Sequence, residues 1–140
     1  MTESPAAVVR RFFERYEQAG VDGALELITP ETVLVVPPEA SAEPDTYEGA
    51  DGGRRYFAGF EGALDDVRFD LVEIEETSPD QALVEMRLIG RGAATGIEVA
   101  QTTFLVITVR GESILRIVAH ADGRAARQEI ERSRGEPRIG

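Results

Sequence analysis

A chain of 140 residues with 26 acidic and 15 basic side chains, a formal net charge of -11 and no cysteine, has the size of one domain with its own core. The charge argues against a nucleic-acid partner, because a polyanion is repelled. No cysteine means neither disulfides nor a thiolate metal site, and the single histidine, His120, cannot by itself assemble a zinc site.

Met1-Thr2-Glu3-Ser4-Pro5 lacks the basic start of a leader, and no stretch approaches the ~18 apolar residues of a membrane span. The expectation is a soluble cytoplasmic chain with no cofactor, no metal and no membrane partner. Residues 1–132 are expected to form the domain. Residues 133–140, with Gly135, Pro137 and alternating charges, read as a flexible tail.

Ser4-Pro5 is an N-cap followed by proline at the first helical position, and Val8, Val9, Phe12, Phe13 and Tyr16 recur at helical spacing. This predicts a helix over 5–19, closed by Gly20. A shorter helical segment over 21–28 stops at Thr29-Pro30. Thr32-Val33-Leu34-Val35-Val36 is apolar and β-branched and reads as a strand running into a proline-bounded loop over 37–48, a candidate lid. Residues 49–67 return to helical spacing with Tyr56, Phe57, Phe60 and Leu64. The glycines in that stretch each weaken it by roughly 1 kcal/mol relative to alanine, so packing has to supply the difference.

From Arg68 the hydrophobic period changes to two, with strands predicted near 68–76, 81–91, 97–110 and 113–121 and a closing helix over 123–132. A two-residue turn at Gly111-Glu112 pairs Arg110 with Ser113, Val109 with Ile114 and Thr108 with Leu115. That register sets Thr102, Phe104, Val106 and Thr108 on one face with Leu115, Ile117 and Ala119. Gln101, Thr103, Leu105 and Ile107 then share the other with Arg116, Val118 and His120. Both faces are largely apolar, so one is expected to line a cavity over the helices and the other to meet a second copy of the chain. The fold expected is α+β, a cone-like curved sheet, antiparallel or mixed, wrapped around N-terminal helices. A homodimer through the outer sheet face follows from the same reading.

Phe12-Phe13-Glu14-Arg15-Tyr16, Val21-Asp22-Gly23-Ala24-Leu25, Thr29-Pro30-Glu31-Thr32-Val33, Tyr47-Glu48-Gly49, Gly53-Arg54-Arg55-Tyr56-Phe57 and the stretch from Ile117 to Ala126 resemble the SnoaL-like family of the nuclear transport factor 2-like superfamily. The resemblance covers residues 5 to 130. It implies a curved sheet around helices, usually dimeric, in a group that includes polyketide cyclases, ketosteroid isomerases, epoxide hydrolases and non-catalytic binding proteins. It also implies positions for the chemistry. The isomerase base falls on Val36, just before Pro37, and the isomerase tyrosine of the first helix falls on Phe13. The cyclase aspartate falls on Val106 or Ala119. None of these side chains can accept or donate a proton.

The hydrolase branch needs carboxylates bridged by arginine. Glu85 and Arg87 share a strand face, and a turn at Ala94-Thr95 brings them beside Phe104 and Thr102 on the expected cavity face. Asp122 ends a neighbouring strand and is also an ordinary N-cap for the helix 123–132. Glu85, Arg87 and Asp122 are therefore the candidate catalytic set, although Glu-x-Arg reverses the Arg-x-Asp order of the hydrolases and the plainer reading is a solvated pair. His120, sharing a face with Arg116 and Val118, is expected at the sheet surface or a dimer interface.

Phe13, Tyr16, Val36, Tyr56, Phe57, Phe60, Thr102, Phe104, Val106, Ile117 and Ala119 are the expected lining of an apolar pocket with a few hydroxyls. The expected function is binding of a small apolar or amphipathic molecule. The alternatives are a divergent hydrolase, cyclase or isomerase, or a domain that binds protein.

Overall fold

The structure, a computed structural model, describes residues 4–36 and 45–135. Helix α1 (Pro5–Ala24) opens as the sequence requires, with Ser4 Oγ accepting from Ala7 N at 3.2 Å and Pro5 in the first turn. Val8, Val9, Phe12 and Phe13 form its buried stripe. At Gly20 the backbone leaves the helical region (φ 67, ψ -150) and turns back on itself, a conformation that glycine adopts at least cost. Past this kink Gly23 lies so close to the part of α1 before it that an added Cβ would meet Arg15 O at 2.1 Å.

A single 3-10 turn (Leu25–Leu27) leads into β1 (Ile28–Val36). The remaining elements are β2 (Asp45–Glu48), α2 (Gly49–Ala63), β3 (Leu64–Ser78), β4 (Gln81–Gly92), β5 (Glu98–Arg110), β6 (Ser113–His120) and α3 (Gly123–Gly135). The six strands form one sheet in the order β2-β1-β6-β5-β4-β3. The pairing is antiparallel except that β1 runs parallel to β6, so the sheet is mixed. Helix α2 touches β1 and β2 at one edge and β3 at the other, which requires the sheet to curl around it without closing.

Strand β1 begins at Ile28, within the expected helical segment 21–28, and α3 runs to Gly135, past the expected end at 132. Three further departures from the sequence reading bear on the site. The expected loop 37–48 ends in β2, whose Tyr47 pairs with Leu34; residues 37–44, and with them most of the candidate lid, lie outside the described residues. Helix α2 stops at Ala63 rather than 67. Leu64 and Asp65 pair instead with Gly92 and Arg91, and a bulge follows that contains Asp66 at φ 53. Cross-strand hydrogen bonding outweighs the helical spacing of Leu64, because the glycines of α2 give the helix little propensity of its own.

The third difference matters most. Arg110 faces Ser113 and Val109 faces Ile114 as expected, but Thr108 then faces Arg116, and Ile107, Val106, Leu105 and Phe104 face Ile117, Val118, Ala119 and His120. Leu115 is an extra residue on β6, a β-bulge, and it exchanges the faces of everything beyond it. Leu105, Ile107, Ile117 and Ala119 accordingly point inward to the main core with Val8, Val9, Phe12 and Val84. Full burial of a side chain such as Ile107 stabilises by about 1.5–3 kcal/mol. Val106 turns outward, where it packs with Leu83 and Phe104 under Ala126 and Ile130 of α3.

Candidate functional site

Between α1, α2 and the inner sheet face lies a cavity of about 40 Å³. Helix α2 presents Gly49, Gly53, Tyr56 and Phe57 to it, the 4-3-1 spacing of one helical face. Helix α1 adds Phe12 and Phe13. Leu34, Phe69, Met86, Leu105 and Ile117 come from five different strands, each at an inward position of its pleat. A Cβ at Gly53 would meet Leu25 Cδ2 at 2.7 Å, so a side chain there would require Leu25 to shift.

Aromatic rings make the walls. Tyr16 stacks on Phe57 at 5.3 Å, Tyr47 meets Tyr56 edge-on at 5.5 Å, and Tyr56 meets Phe57 at 5.6 Å. Tyr47 also carries the guanidinium of Arg55 over its ring, 4.7 Å from the centroid.

Among the described residues the lining contains three side-chain hydroxyls and no charged group. The Thr32 hydroxyl is committed to Ile114 O and also accepts from Thr29 N at 2.9 Å. Burial pushes the Tyr56 phenol far above its usual pKa, with Tyr47 adding to the effect, so Tyr56 stays neutral throughout the physiological range. With no carboxylate, imidazole or amine among the described lining residues, what these offer is shape, apolar surface and neutral hydroxyls.

The expected pocket residues divide. Phe13, Tyr56, Phe57 and Ile117 line the cavity. Tyr16 stands behind Phe57 and Phe69, while Val36 and Ala119 are buried on the inward side without reaching it. The Phe60 side chain lies outside the described residues. Thr102, Phe104 and Val106 lie on the opposite face, turned there by the Leu115 bulge. The sequence reading did not include Phe12, Leu34, Tyr47, Phe69, Met86 or Leu105; the parity of β5 would have supplied Leu105 had the bulge been legible.

The candidate catalytic residues are on the outside as well. Glu85 faces Phe104 and Arg87 faces Thr102, the expected register, but that face is turned away from the cavity. Glu85 borders a shallow cleft with Glu73 and Glu75, where Arg127 Nη2 lies 3.0 Å from Glu75 Oε1. Asp122 caps α3, its Oδ1 accepting from Ala125 N at 2.7 Å. His120, expected at a surface or dimer interface, is only 4% exposed and sits with Nε2 3.5 Å from Glu129 Oε2 of α3. Of the apolar residues on the face expected to meet a second copy, Leu105 and Ile107 lie in the main core instead, and the outer face carries Leu83, Phe104 and Val106 packed under that helix. Among the described residues no group of three or more His, Asp or Glu is placed to hold a metal, and no helix is long and apolar enough to cross a membrane.

None of the curated proteins searched matches the chain by sequence. Solved structures match its fold. An NTF2-like protein of Burkholderia thailandensis superposes with a TM-score of 0.73 at 18% identity, over 91% of this chain and 98% of that one. TerC, co-crystallised with polyporic acid, gives 0.72 at 18% identity over the same shares, 91% and 98%. A protein of Catenulispora acidiphila with a ketosteroid isomerase-like fold, in complex with trimethylamine, gives 0.70 at 14% identity over 84% and 86%. At these identities the likeness is one of fold. The sequence profile of the SnoaL-like domain matches residues 9–120, most of the chain and every element from α1 to β6, and the protein belongs to that family.

Proposed function

We propose that the protein binds a small, largely apolar molecule in the cavity between α1, α2 and the inner sheet face. The observation that carries this reading is the wall itself: aromatic and aliphatic side chains from two helices and all six strands converge on one void, with neutral hydroxyls and no charge among the described residues. Binding sites for small molecules have this composition, apolar with a few placed polar groups. The crystallised complexes of two proteins sharing the fold, one with polyporic acid and one with trimethylamine, agree with a small-molecule role. Binding rather than turnover is proposed because the candidate catalytic residues Glu85, Arg87 and Asp122, and the single histidine, His120, lie on the other face.

The chain supplies its own reporter. It has no tryptophan and three tyrosines; Tyr47 and Tyr56 line the cavity, and Tyr16 stacks on Phe57, which does. Titration with steroids, aromatic polyketides, terpenoid epoxides and fatty acids should give saturable changes in tyrosine emission with one class, together with a higher melting temperature. Leu105→Phe, which narrows the cavity, should weaken both. Absence of any saturable change across all classes would sink the proposal.

A further inference from the structure

A second and larger space adjoins the cavity. Between the C-terminal half of α1 and the start of β3 lies a groove of about 350 Å³, bordered by Phe13, Tyr16, Glu17, Arg68, Phe69 and Asp70. The inner cavity, at about 40 Å³, is far below the ≈ 300–1,000 Å³ usual for ligand sites, whereas the groove is within that range. Phe13 and Phe69 border both spaces. They stand with centroids 6.2 Å apart, and Tyr16 meets Phe69 edge-on at 4.9 Å. Two rings are thus shared by the inner cavity and the outer groove.

The two chambers differ in chemistry. The described lining of the inner one holds no charge, while the groove carries two carboxylates and one guanidinium. Arg68 is occupied by Asp70, with Nε 3.1 Å from Oδ1. Glu17, exposed one helical turn after Phe13, has no ion-pair partner among the described residues. A carboxylate beside the rings of Phe13, Tyr16 and Phe69 offers a cation both charge and aromatic surface, and a chain of net charge -11 attracts cations and repels anions.

We propose that groove and cavity are one bipartite site for a molecule with a hydrophobic group at one end and a protonated amine at the other. The apolar end displaces Phe69 to enter the chamber, and the ammonium stays in the groove at Glu17. This deepens the proposed function and rests on it.

The test uses three probes of one shape on the whole protein: 4-phenylbutylamine, 4-phenylbutan-1-ol and 4-phenylbutyrate, followed by tyrosine emission. The amine should bind about fivefold more tightly than the alcohol, as expected of one exposed ion pair with aromatic support, and the acid most weakly. Glu17→Gln, a surface change, should bring the amine to the affinity of the alcohol. Leu105→Phe, or Met86→Phe if the first variant folds poorly, should weaken all three. Equal binding of amine and alcohol, or a preference that survives Glu17→Gln, overturns the amine assignment and leaves the cavity reading standing. An amine indifferent to both cavity variants overturns the bipartite site. No binding by any probe counts against both readings.

Discussion

The hydroxyl of Thr32 donates to the backbone oxygen of Ile114, joining β1 to β6 across 82 positions of sequence. The bond sits where the parallel pairing of these strands is interrupted. Ile28 faces Ile114 and Val33 faces Arg116, so residues 29–32, which include Pro30, bow out of the ladder. Proline has no N–H to give, and here a side chain supplies the donor that the main chain does not. The bulged Leu115 follows immediately on β6. The buried Thr32 hydroxyl thus holds the irregularity that decides which face of β5 and β6 looks into the cavity.

Replacing that hydroxyl by a methyl is the sharpest test of the arrangement. Thr32→Val keeps the volume but leaves Ile114 O buried without this donor, which should cost about 1–3 kcal/mol. Urea denaturation should show a lower midpoint at an unchanged slope. A midpoint equal to that of the parent chain would mean the bond contributes nothing.

Two glycines should respond to alanine in opposite directions. Gly59, within α2, has nothing within 4 Å of a built Cβ, so alanine should stabilise by about 0.5–1 kcal/mol through helix propensity. At Gly23 the same gain is opposed by a contact of 2.1 Å with the Arg15 carbonyl, a main-chain atom that cannot swing aside. Overpacking typically costs about 1–3 kcal/mol, so Gly23→Ala should be net destabilising. Melting temperatures of the two variants should move apart; movement in the same direction would contradict the packing of the turn on α1.

Tyr56 gives a pH signature. Its phenol is raised in the folded chain, first by burial and then by Tyr47, so the folded state keeps a proton that the unfolded state releases near pH 10. The associated stability is fully present below that pH and falls as pH rises further. Denaturation midpoints measured from pH 8 to 11.5, a range chosen to bracket the ordinary phenol value of about 10, should fall at the alkaline end. Tyr56→Phe should flatten part of that fall. Identical alkaline curves for both proteins would remove Tyr56 from the account.

Glu85 and Arg87 supply a negative control with consequences. Both face away from the cavity, opposite Phe104 and Thr102. Glu85→Gln and Arg87→Ala should therefore leave tyrosine-detected ligand affinity unchanged and alter stability by no more than about 0.5 kcal/mol. A large loss of binding in either variant would place the ligand on the outer face and overturn the cavity assignment.

Much of the architecture was written locally. The cap at Ser4, the break at Gly20, the turn at Gly111-Glu112, and the pairing of Glu85 with Phe104 follow from capping, glycine geometry and strand period, each a matter of neighbours along the chain. The stripe of α1 and the α2 residues Tyr56 and Phe57 were legible for the same reason. Which face of the sheet lines the cavity was not. It turns on one extra residue, Leu115, and both faces of β5 and β6 are apolar enough to be buried, so hydrophobic period could not choose between them. The choice came from contacts distant in sequence: Thr32 with Ile114, and α3 with Leu83 and Val106. Period-two patterning specifies that alternate residues part company, and only the tertiary structure decides which set goes inside.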